Sequence, residues 1–463
     1  MMGMGEVQAP QSFSGKAGIA RRDITPPVGI RARNWGPAEW DRSVGVHRRL
    51  SLTALAIVPR AGAPAHVIFA VDGTWWRRIE DEQRVRQAIL QRLDLPADRV
   101  MFNLSHTHAG PVLNQAEEDA PGGEFISGYL DLLTEAAVSA GEEALGSLFD
   151  MRLECAQGTS RVASNRELDL QGSAFVGFNP DREADDTIVI GRLSDASGRV
   201  RATLVNYACH PTTLAWQNML ISPDYVGAMR EVVESETGGL CLFLQGASGE
   251  LAPRHQYTGD VTVADAHGAA LGHAVLAALA EMSAPATAMT LIEAVESSAP
   301  LVRWEARPYD SPTQFSHTFG EVELEVRALP SLAELEEQWS GIDPRSREER
   351  LRRAQSLRQG YATGETVQYP VWAWRWGGIV LVAHPGEAYS QLQLTLRKAY
   401  PHLSVVVMNL TNGPGFVYLP TAEAYRADAY QAWQTPLASG SLERLEQYAI
   451  DLVSNLGGND VEE

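Results

Sequence analysis

Two histidines stand two residues apart in the segment NLSHTHAGP, residues 103–111. In extended or turning backbone, side chains two residues apart point to the same side, so His106 and His108 can converge on one point. Zinc favours neutral imidazole as a ligand, and a catalytic zinc ion keeps one position open for water. The pair alone indicates a metal site or a polar loop, and it supports both interpretations about equally.

Two common arrangements built on such a pair do not fit the rest of the sequence. The metallo-β-lactamase pattern requires Asp-His two residues further on, where Gly110 and Pro111 stand instead. The TIM-barrel amidohydrolases add a lysine or its carboxylated equivalent, two more histidines and an aspartate, and these partners cannot be placed here. The predicted strands do not suggest an eight-stranded barrel either, so other partners are needed.

Three further segments place polar side chains at predicted strand ends. His210 follows an apolar strand in LVNYACHPTTL, where a bond to local backbone would also explain it. Glu387 in LVAHPGEAYSQL is predicted to open a helix, whose dipole would stabilise the carboxylate as a cap. NGPGFVYLPTAEAYRADAY carries tyrosines at positions 418, 425 and 430, which aromatic packing beneath a loop would also explain. Taken together, the four segments favour one shared site.

The elements that must position these residues alternate between strands and helices. Strands are predicted for AGIARRDIT, LSLTALAIVP, AHVIFAVD, RVMFNLS and SVVVMNL, and near 150–157, 187–193 and 200–208. Helices are predicted for IEDEQRVRQAILQRLDL, around 126–147, from SPDYVG onwards and over 262–282. VWAWRWGGIVLVAHPGE predicts a hairpin turning at Gly377 and Gly378. The pattern predicts an α/β (α+β) fold with a mixed β-sheet core flanked by helices.

One continuous domain is the simplest organisation, because no repeat, linker or low-complexity tract interrupts this alternation. We predict a loose N-terminus over 1–14, a single catalytic domain over 15–456 and a C-terminal tail over 457–463. The charged segment 329–361 predicts a helical hairpin. It is interpreted as a solvated hairpin, with an insertion over the core or a contact surface in a homo-oligomer as the alternatives.

Composition narrows the class of function. The formal charge of −20 and the pI near 5.0 disfavour nucleic acid and anionic membrane surfaces as partners. Three cysteines, Cys155, Cys209 and Cys241, are too few and too irregular for a disulfide framework or a cysteine-rich zinc site. With neither a secretory signal nor an apolar run of about 20 residues in view, we expect a cytoplasmic protein without stable membrane insertion.

Read in order, the motifs resemble those of the neutral, non-lysosomal ceramidase family. The resemblance rests on SHTHAGP, NYACHPTTL with LISPD, LFLQGASGELAP, HPGE and YLPTAEAY, and on the opening AGIARRDITPPVG and GVHRRLSLTALAI. It covers nearly the whole chain, and the joint order of the motifs is more specific than any one of them. It implies a hydrolase that cleaves an amide bond with a zinc ion bound at strand ends.

The resemblance also implies roles for individual residues. One zinc ion per chain would be held by His106, His210, Glu387 and Tyr418. His108 at the reacting carbonyl, Arg166 in VASNREL and Tyr430 would stabilise the oxyanion or protonate the leaving amine. Asp224 in LISPD would orient a ligand, although capping the following helix explains it equally well.

The chain departs from the family at the nucleophile. The family turn reads Gly-Asp-Val-Ser-Pro, with the serine proposed as nucleophile, whereas this chain reads GELAP with Ala252 in the place of that serine. Ser248 is the nearest alternative, but GASGE has Glu250 where a nucleophile elbow requires its last glycine. Direct attack by zinc-activated water is therefore the expected mechanism.

Further departures concern the substrate. RARNWGPAEW replaces the family's Met-Met-Gly-Tyr and places Arg31, Arg33 and Trp35 near that position, with Arg33 and Trp35 as candidate substrate-binding residues. The arginines predict that the substrate is a small-molecule amide that is smaller and more polar than ceramide. The alternative interpretation is that these arginines are solvated surface residues without a role in binding. The chain ends soon after the last motif, so we expect the ceramidases' C-terminal β-sandwich to be missing. An esterase or lactonase on the same site, and a binding protein with a vestigial site, remain alternatives.

Overall fold

The computed structural model describes residues 7–60, 62–358, 364–413 and 417–457. The strands, in chain order, are β1 (Val7–Gln8), β2 (Gln11–Asp23), β3 (Gly45–Val46), β4 (Ser51–Val58), β5 (His66–Val71), β6 (Val100–Leu104), β7 (Phe149–Thr159), β8 (Ala163–Asn165), β9 (Glu167–Leu170), β10 (Ser173–Val176), β11 (Thr187–Asp195), β12 (Val200–Tyr207), β13 (Leu220–Ile221), β14 (Leu240–Gln245), β15 (Leu251–Pro253), β16 (Thr287–Val295), β17 (Leu301–Pro308), β18 (Phe315–Glu325), β19 (Thr366–Trp376), β20 (Ile379–Ala383), β21 (Glu387–Ala388), β22 (Ser404–Met408) and β23 (Tyr418–Leu419). The α-helices are α1 (Ile79–Leu93), α2 (Ile126–Gly146), α3 (Tyr225–Thr237), α4 (Val261–Glu281), α5 (Leu332–Gln338), α6 (Pro344–Ser356), α7 (Gln391–Ala399), α8 (Ala422–Arg426), α9 (Tyr430–Trp433) and α10 (Ser441–Asn455), with single-turn 3₁₀ helices at Ala97–Arg99, Gln115–Glu117 and Gly123–Phe125.

Two mixed sheets form the centre of the protein. The larger sheet has eight strands in the order β14-β12-β11-β7-β2-β4-β5-β6, and only β12–β14 and β5–β6 run parallel. The smaller sheet has four strands in the order β18-β19-β20-β22, with β20 and β22 parallel. The predicted mixed sheet with flanking helices is therefore confirmed.

The alternation of side chains along the strands defines four layers. On β5, Phe69 packs with the side chains of α1 and α2, whereas Ile68 faces the smaller sheet. On β19, the buried side chains of Trp372, Trp374 and Trp376 fill the space between the two sheets. Because successive residues of a strand face opposite sides, this pattern stacks helices, sheet, sheet and helices. Helices α7 and α10 cover the outer face of the smaller sheet.

Helices α3 and α4 pack against each other on the outer face of the larger sheet. Gly268 permits a close approach, because a Cβ at that position would lie 2.3 Å from the carbonyl oxygen of Tyr225.

Among the described residues, α4 is the one helix long and apolar enough to cross a membrane, with a mean hydropathy of 1.3. The sequence analysis predicted this helix but did not count it as an apolar run of membrane-spanning length, because Asp265 and two histidines interrupt it. Here its buried stripe, which includes Leu271 and Val275, packs into the core.

A single buried asparagine ties three strand ends together. The side-chain oxygen of Asn103, on β6, accepts a hydrogen bond from the backbone N–H of Gln245 on β14 at 3.1 Å. Its side-chain nitrogen donates to the carbonyl oxygen of Asn409, just after β22, at 2.6 Å. The larger sheet thus coils until its two edge strands meet. The carboxyl ends of parallel strands from both sheets converge there, which is the usual place for a site in such folds.

The described residues correct one predicted boundary. Strand β2 begins at Gln11 and pairs with β7, and Phe13 is fully buried, so residues 11–14 are part of the sheet rather than a loose terminus. The ring of Phe13 packs against those of Phe315 and Trp376, which holds this segment against the smaller sheet. Val7 and Gln8 form β1 and pair with β16, whereas residues 1–6 of the predicted loose segment and 458–463 of the predicted tail lie outside the described residues.

The segment 329–361 forms two short helices, α5 and α6, as far as it is described. A capping box at Ser331 begins α5, and Asp343 with Pro344 begins α6. The last residues of the predicted hairpin, 359–361, lie outside the described residues. Whether this hairpin is an insertion or an oligomer contact stays a prediction.

The three cysteines are free, as the sequence predicts. Burial raises the pKa of Cys155 and of Cys241 to about 12, and it raises the pKa of Cys209 well above the ordinary value. Their thiols therefore stay protonated and unreactive near neutral pH.

Candidate active site

His106 stands two residues after β6 in a left-handed backbone conformation, with φ of 69°. Residues other than glycine seldom adopt this conformation, and it tends to persist at functional sites. The Nδ1 atom of the ring lies 3.2 Å from the carbonyl oxygen of Thr74, in the loop after β5. A carbonyl can only accept a hydrogen bond, so Nδ1 donates to it and Nε2 is the ring nitrogen that faces the site.

His210 has the same tautomer. It follows β12 and is fully buried, and its Nδ1 atom lies 2.7 Å from the carbonyl oxygen of Ser248. Burial, together with the neighbouring charge of Arg166, lowers the pKa of His210 to about 3. The ring is therefore neutral, and the lone pair of its Nε2 atom points into the site.

Glu387 lies in the two-residue strand β21, not at the start of a helix as the sequence predicted. Its backbone N–H donates to the carbonyl oxygen of Val417 at 2.6 Å, and the parallel ladder of β21 and β23 pairs Glu387 with Tyr418. Helix α7 begins only at Gln391, so its dipole is not what places this carboxylate. The register of a short ladder instead brings two of the expected ligands side by side.

The donor atoms of these residues converge. Glu387 Oε2 lies 3.0 Å from His210 Nε2 and 3.2 Å from His106 Nε2. Ligand atoms bound at zinc distances in a tetrahedral site are about 3.3 Å apart, so these separations match those of a tetrahedral zinc site. The two Nε2 atoms and the carboxylate oxygen enclose a place where a cation would be bound by all three donors. The residues therefore fit a metal ion.

The charge state of Glu387 agrees with this arrangement. Burial by itself would raise the pKa of the Glu387 carboxyl group, and it is positive charge in the position of His106 and His210 that holds this pKa well below its usual range. A carboxylate that is ionised and buried requires positive charge nearby, and a divalent cation supplies it.

His108 joins the same centre. Its Nε2 atom lies 3.3 Å from His106 Nε2, and the donor nitrogens of His106, His108 and His210 all lie within 4.8 Å of one another. Burial and the neighbouring His106 lower the pKa of His108 well below its ordinary value, so this ring is also neutral. The geometry makes His108 a candidate ligand as well as the predicted group at the reacting carbonyl.

Arg166 connects His210 with Tyr418. It follows β8, and its backbone N–H donates to the carbonyl oxygen of Glu250 at 2.9 Å. Its Nη2 atom lies 3.1 Å from His210 Nε2 and donates to the Tyr418 hydroxyl at 3.1 Å and to the carbonyl oxygen of Gly249 at 2.7 Å. The side chains of Arg166 and Tyr418 are both buried. A fixed guanidinium group thus stands beside the proposed metal ligands.

A half-buried rim surrounds these buried donors. The ring of Tyr430 lies 5.9 Å from that of Tyr418, and its hydroxyl accepts a hydrogen bond from Arg353 Nη1 at 3.1 Å. The ring of Trp35 lies 5.0 Å from that of His108, so the structure places this predicted substrate-binding residue at the site. The rim is the part of the site that is partly exposed to solvent.

Two predicted residues lie further away. The guanidinium group of Arg33 bonds to the carbonyl oxygen of Gly36 at 3.0 Å and lies 3.7 Å from Asp41, and none of its described contacts is with a proposed ligand. Asp224 is the N-cap of α3 and accepts hydrogen bonds from the backbone of Tyr225 at 2.7 Å and of Leu214 at 2.9 Å. Its observed contacts are those of a cap that also holds the loop after His210.

Among the residues that the structure describes, the serines near Ala252 do not direct a hydroxyl group at the donor atoms: Ser164 Oγ donates to the carbonyl oxygen of Ala252 at 2.9 Å. Ala252 lies fully buried in β15 and has no hydroxyl group. Ser248 Oγ lies 3.3 Å from Nδ1 of His210, the ring nitrogen that faces away from the centre, and accepts a hydrogen bond from Gln245 at 2.7 Å. Ser248 therefore stands behind the imidazole rather than in front of it.

The sequence analysis missed three residues of the rim. The ring of Trp75 lies 4.9 Å from that of His108, and the ring of Tyr257 lies 5.5 Å from that of Trp35. Trp75 follows β5, the parallel neighbour of β6, so the position of its strand end was a usable signal. Arg353 sits in a charged helix, where no sequence signal distinguishes it from solvated arginines.

No family model and no curated protein sequence matches this chain. Solved structures of ceramidases do match it. The neutral ceramidase from Pseudomonas aeruginosa has a TM-score of 0.69 and 18% identity, over 97% of this chain and 76% of that one. A ceramidase complexed with C2 has a TM-score of 0.67 and 16% identity, over 96% of this chain and 76% of that one. The chain therefore has the fold of the neutral ceramidases.

Proposed function

We propose that this protein is a zinc-dependent hydrolase that cleaves an amide bond of a small molecule with water as the nucleophile. The observation that carries the proposal is the approach of His106 Nε2 and His210 Nε2 to Glu387 Oε2, at 3.2 and 3.0 Å. The likeness of the fold to ceramidases, which act on an amide, supports the same reaction class.

A zinc ion at these donors would supply Lewis-acid chemistry, polarising a carbonyl group and lowering the pKa of water towards ~7. The protein's own groups would do the rest. Arg166, held by the carbonyl oxygen of Gly249, is placed to stabilise negative charge on the carbonyl oxygen of the substrate. The hydroxyl of Tyr430 accepts from Arg353, which leaves its own proton free for the leaving amine.

The surroundings of the family's serine position support water as the nucleophile. Ala252 offers no hydroxyl, and Ser248 approaches the far edge of the His210 ring. A covalent acyl-serine would require an oxygen on the side of the ring that bears Nε2. The side of the His210 ring that bears Nε2 lies among the buried donor atoms, next to the half-buried rim. On that side, water and substrate would meet.

The experiment is a paired substrate panel on metal-free and zinc-reconstituted protein. We expect a chelator to abolish hydrolysis of short N-acyl amides, and about one equivalent of zinc per chain to restore it. Full activity in the metal-free protein would contradict the proposal. Cleavage of matched esters alone would favour the esterase or lactonase alternative, and tight zinc binding without any hydrolysis would favour a binding protein.

The remaining partners follow as part of this proposal. A net charge of −20 suits a small-molecule substrate better than nucleic acid or an anionic membrane surface. The cytoplasmic location and a homo-oligomeric state stay predictions.

A further inference from the structure

We propose that helix α6 supplies a binding site for an anionic group of the substrate, with Arg353 as the residue that binds a carboxylate. The inference rests on the proposed hydrolase function and names the substrate class of that site, an N-acylated amino acid. The sequence pointed to Arg31 and Arg33 for such a role, but a different arginine stands at the rim.

Arg353 reaches from α6 to the rim of the site. Its Nη1 atom bonds to the Tyr430 hydroxyl at 3.1 Å, and its guanidinium carbon lies 5.9 Å from the centre of the Trp75 ring. The Trp75 ring in turn lies 4.9 Å from the ring of His108. The side chain of Arg353 is 29% exposed, so it borders the site and still faces solvent. A substrate carboxylate could therefore meet it.

The charges around Arg353 do not balance. Ion pairs join five guanidinium groups to three carboxylates, those of Arg31, Arg33, Arg77, Arg352, Arg353, Asp41, Glu117 and Glu349. Two positive charges are in excess within this group, on a chain whose net charge is −20. Excess charge in a half-buried place is costly unless a counter-charge arrives. The arrangement points to an anionic ligand.

The network also holds Arg353 in position. Glu349 bonds to Arg353 Nε at 2.8 Å and pairs with Arg352, which reaches Glu117 at 2.8 Å. Although burial opposes ionisation, Arg77 and Arg352 lower the pKa of Glu117 to about 2, so this anchor stays charged. A guanidinium group fixed in this way can offer parallel N–H donors to a carboxylate without losing much entropy.

Aromatic rings provide the rest of the pocket wall. The ring of Trp35 lies 6.1 Å from that of Trp216 and 5.5 Å from that of Tyr257. Within the described part of the chain, Trp35 Nε1 has no hydrogen-bond partner although it is buried, so a polar atom of a ligand can accept from it. The substrate would therefore place an apolar group among these rings and a carboxylate at Arg353. An N-acylated amino acid with an apolar side chain has both groups.

The reaction on such a substrate balances with water alone. The oxygen of water bonds to the acyl carbon, the C–N bond breaks, and the nitrogen takes both protons of the water and leaves as the ammonium group of the free amino acid. The other product is the carboxylate of the acyl group. Arg353 stays bound to the amino-acid carboxylate, which does not react, so it acts as a specificity residue.

The test compares N-acetyl-L-phenylalanine with its neutral counterpart N-acetyl-L-phenylalaninamide, following release of acetate by the zinc-loaded protein. We expect the wild type to prefer the acid, and Arg353→Gln to lower kcat/KM for the acid about 20-fold more than for the neutral compound, whose own loss reports the lost bond to the Tyr430 hydroxyl. Arg350→Gln is the matched control on the same helix, because Arg350 packs on the rings of Trp339 and Trp433. It should change neither value.

Two results would overturn the inference. One is an equal loss on both compounds in Arg353→Gln, and the other is a wild-type preference for the neutral compound or for a short-chain N-acyl sphingosine. If the wild type hydrolyses neither the acid nor the amide nor the N-acyl sphingosine, the proposed function is wrong. Calorimetry still tests the anion site in that case. N-acetyl-L-phenylalanine should then bind Arg353→Gln at least about tenfold more weakly than the wild type, and equal binding would contradict the site.

Discussion

The Nε2 atom of His210 lies 3.0 Å from the Oε2 atom of Glu387, although 177 positions separate the two residues in the chain. The Nδ1–H of the same ring donates to the carbonyl oxygen of Ser248 at 2.7 Å, which fixes the tautomer. The Nε2 atom of His210 therefore faces the carboxylate oxygen, and a cation bound between the two atoms would make that contact favourable.

Removing either partner should remove the metal. We expect His210→Ala and Glu387→Gln to retain less than about a tenth of the zinc bound by the wild type, and to lose activity by about a thousandfold or more. Elemental analysis and the hydrolysis assay give the two values, and the melting temperature shows whether each variant folds. His402→Ala, which changes an exposed histidine, serves as control. Stoichiometric zinc in the folded His210→Ala protein would show that the ligand set is wrong.

A second prediction separates the two roles open to His108. If it acts at the reacting carbonyl, His108→Ala should keep zinc at the wild-type level and lose activity by roughly a hundredfold or more. If it is a ligand, zinc and activity should fall together. The 3.3 Å distance between its Nε2 atom and that of His106 allows both, and we expect the first outcome. Loss of zinc in this variant would move His108 to the ligand set.

A third prediction concerns the nucleophile. Ser248→Ala should keep kcat within about tenfold of the wild type, because the hydroxyl lies at the Nδ1 edge of His210. Loss of a serine nucleophile would instead cost on the order of 10⁴-fold or more. Steady-state kinetics measure the difference, with zinc content checked in the same samples. A loss of that size in a protein with full zinc would establish Ser248 as the nucleophile.

The larger features of this fold could be predicted because their signals are local. Nearly continuous apolar runs mark β4 and β5, and the predicted helices over IEDEQRVRQAILQRLDL and 126–147 agree with α1 and α2 within a few residues. His106 and His210 could be selected because each follows an apolar strand. Strands β16 to β18 were not predicted, since much of their surface is exposed and few of their side chains are buried.

The parts of the site that could not be predicted depend on distant contacts. The prediction that Glu387 opens a helix was wrong, because this residue lies in β21. That strand is two residues long and exists only through its pairing with β23. No pattern within HPGE reveals that partner. Likewise Arg353 belongs to a helix whose charges look solvated, and only the docking of α6 beside Tyr430 gives it a place at the site.

A fourth prediction concerns stability and pH. His66 packs between the rings of Phe315, His317 and Trp374, and burial, with the charges of His317 and Arg99, lowers its pKa from 6.5 to about 3. Because the folded pKa is depressed, the neutral ring contributes stability that is fully present above pH 6.5 and is lost as the pH falls towards 3. The loss is at most about 1.4 kcal/mol per pH unit for this one group.

Urea unfolding of the wild type and of His66→Phe between pH 7.5 and pH 4.5 measures this effect. We expect the variant to lose less stability than the wild type on acidification, by up to about 1.4 kcal/mol per pH unit. His402→Phe, which replaces an exposed histidine, controls for the general loss of a titrating ring. Parallel pH curves for the wild type and His66→Phe would show that protonation of His66 does not limit stability.

The most direct test of the zinc site is an anomalous difference map from crystals measured on both sides of the zinc absorption edge. We predict one strong peak per chain, about 2.0 to 2.2 Å from His106 Nε2, His210 Nε2 and Glu387 Oε2. The peak should appear only above the edge. The absence of a peak at these atoms in a zinc-loaded, active protein, or a single peak elsewhere, would contradict the assignment.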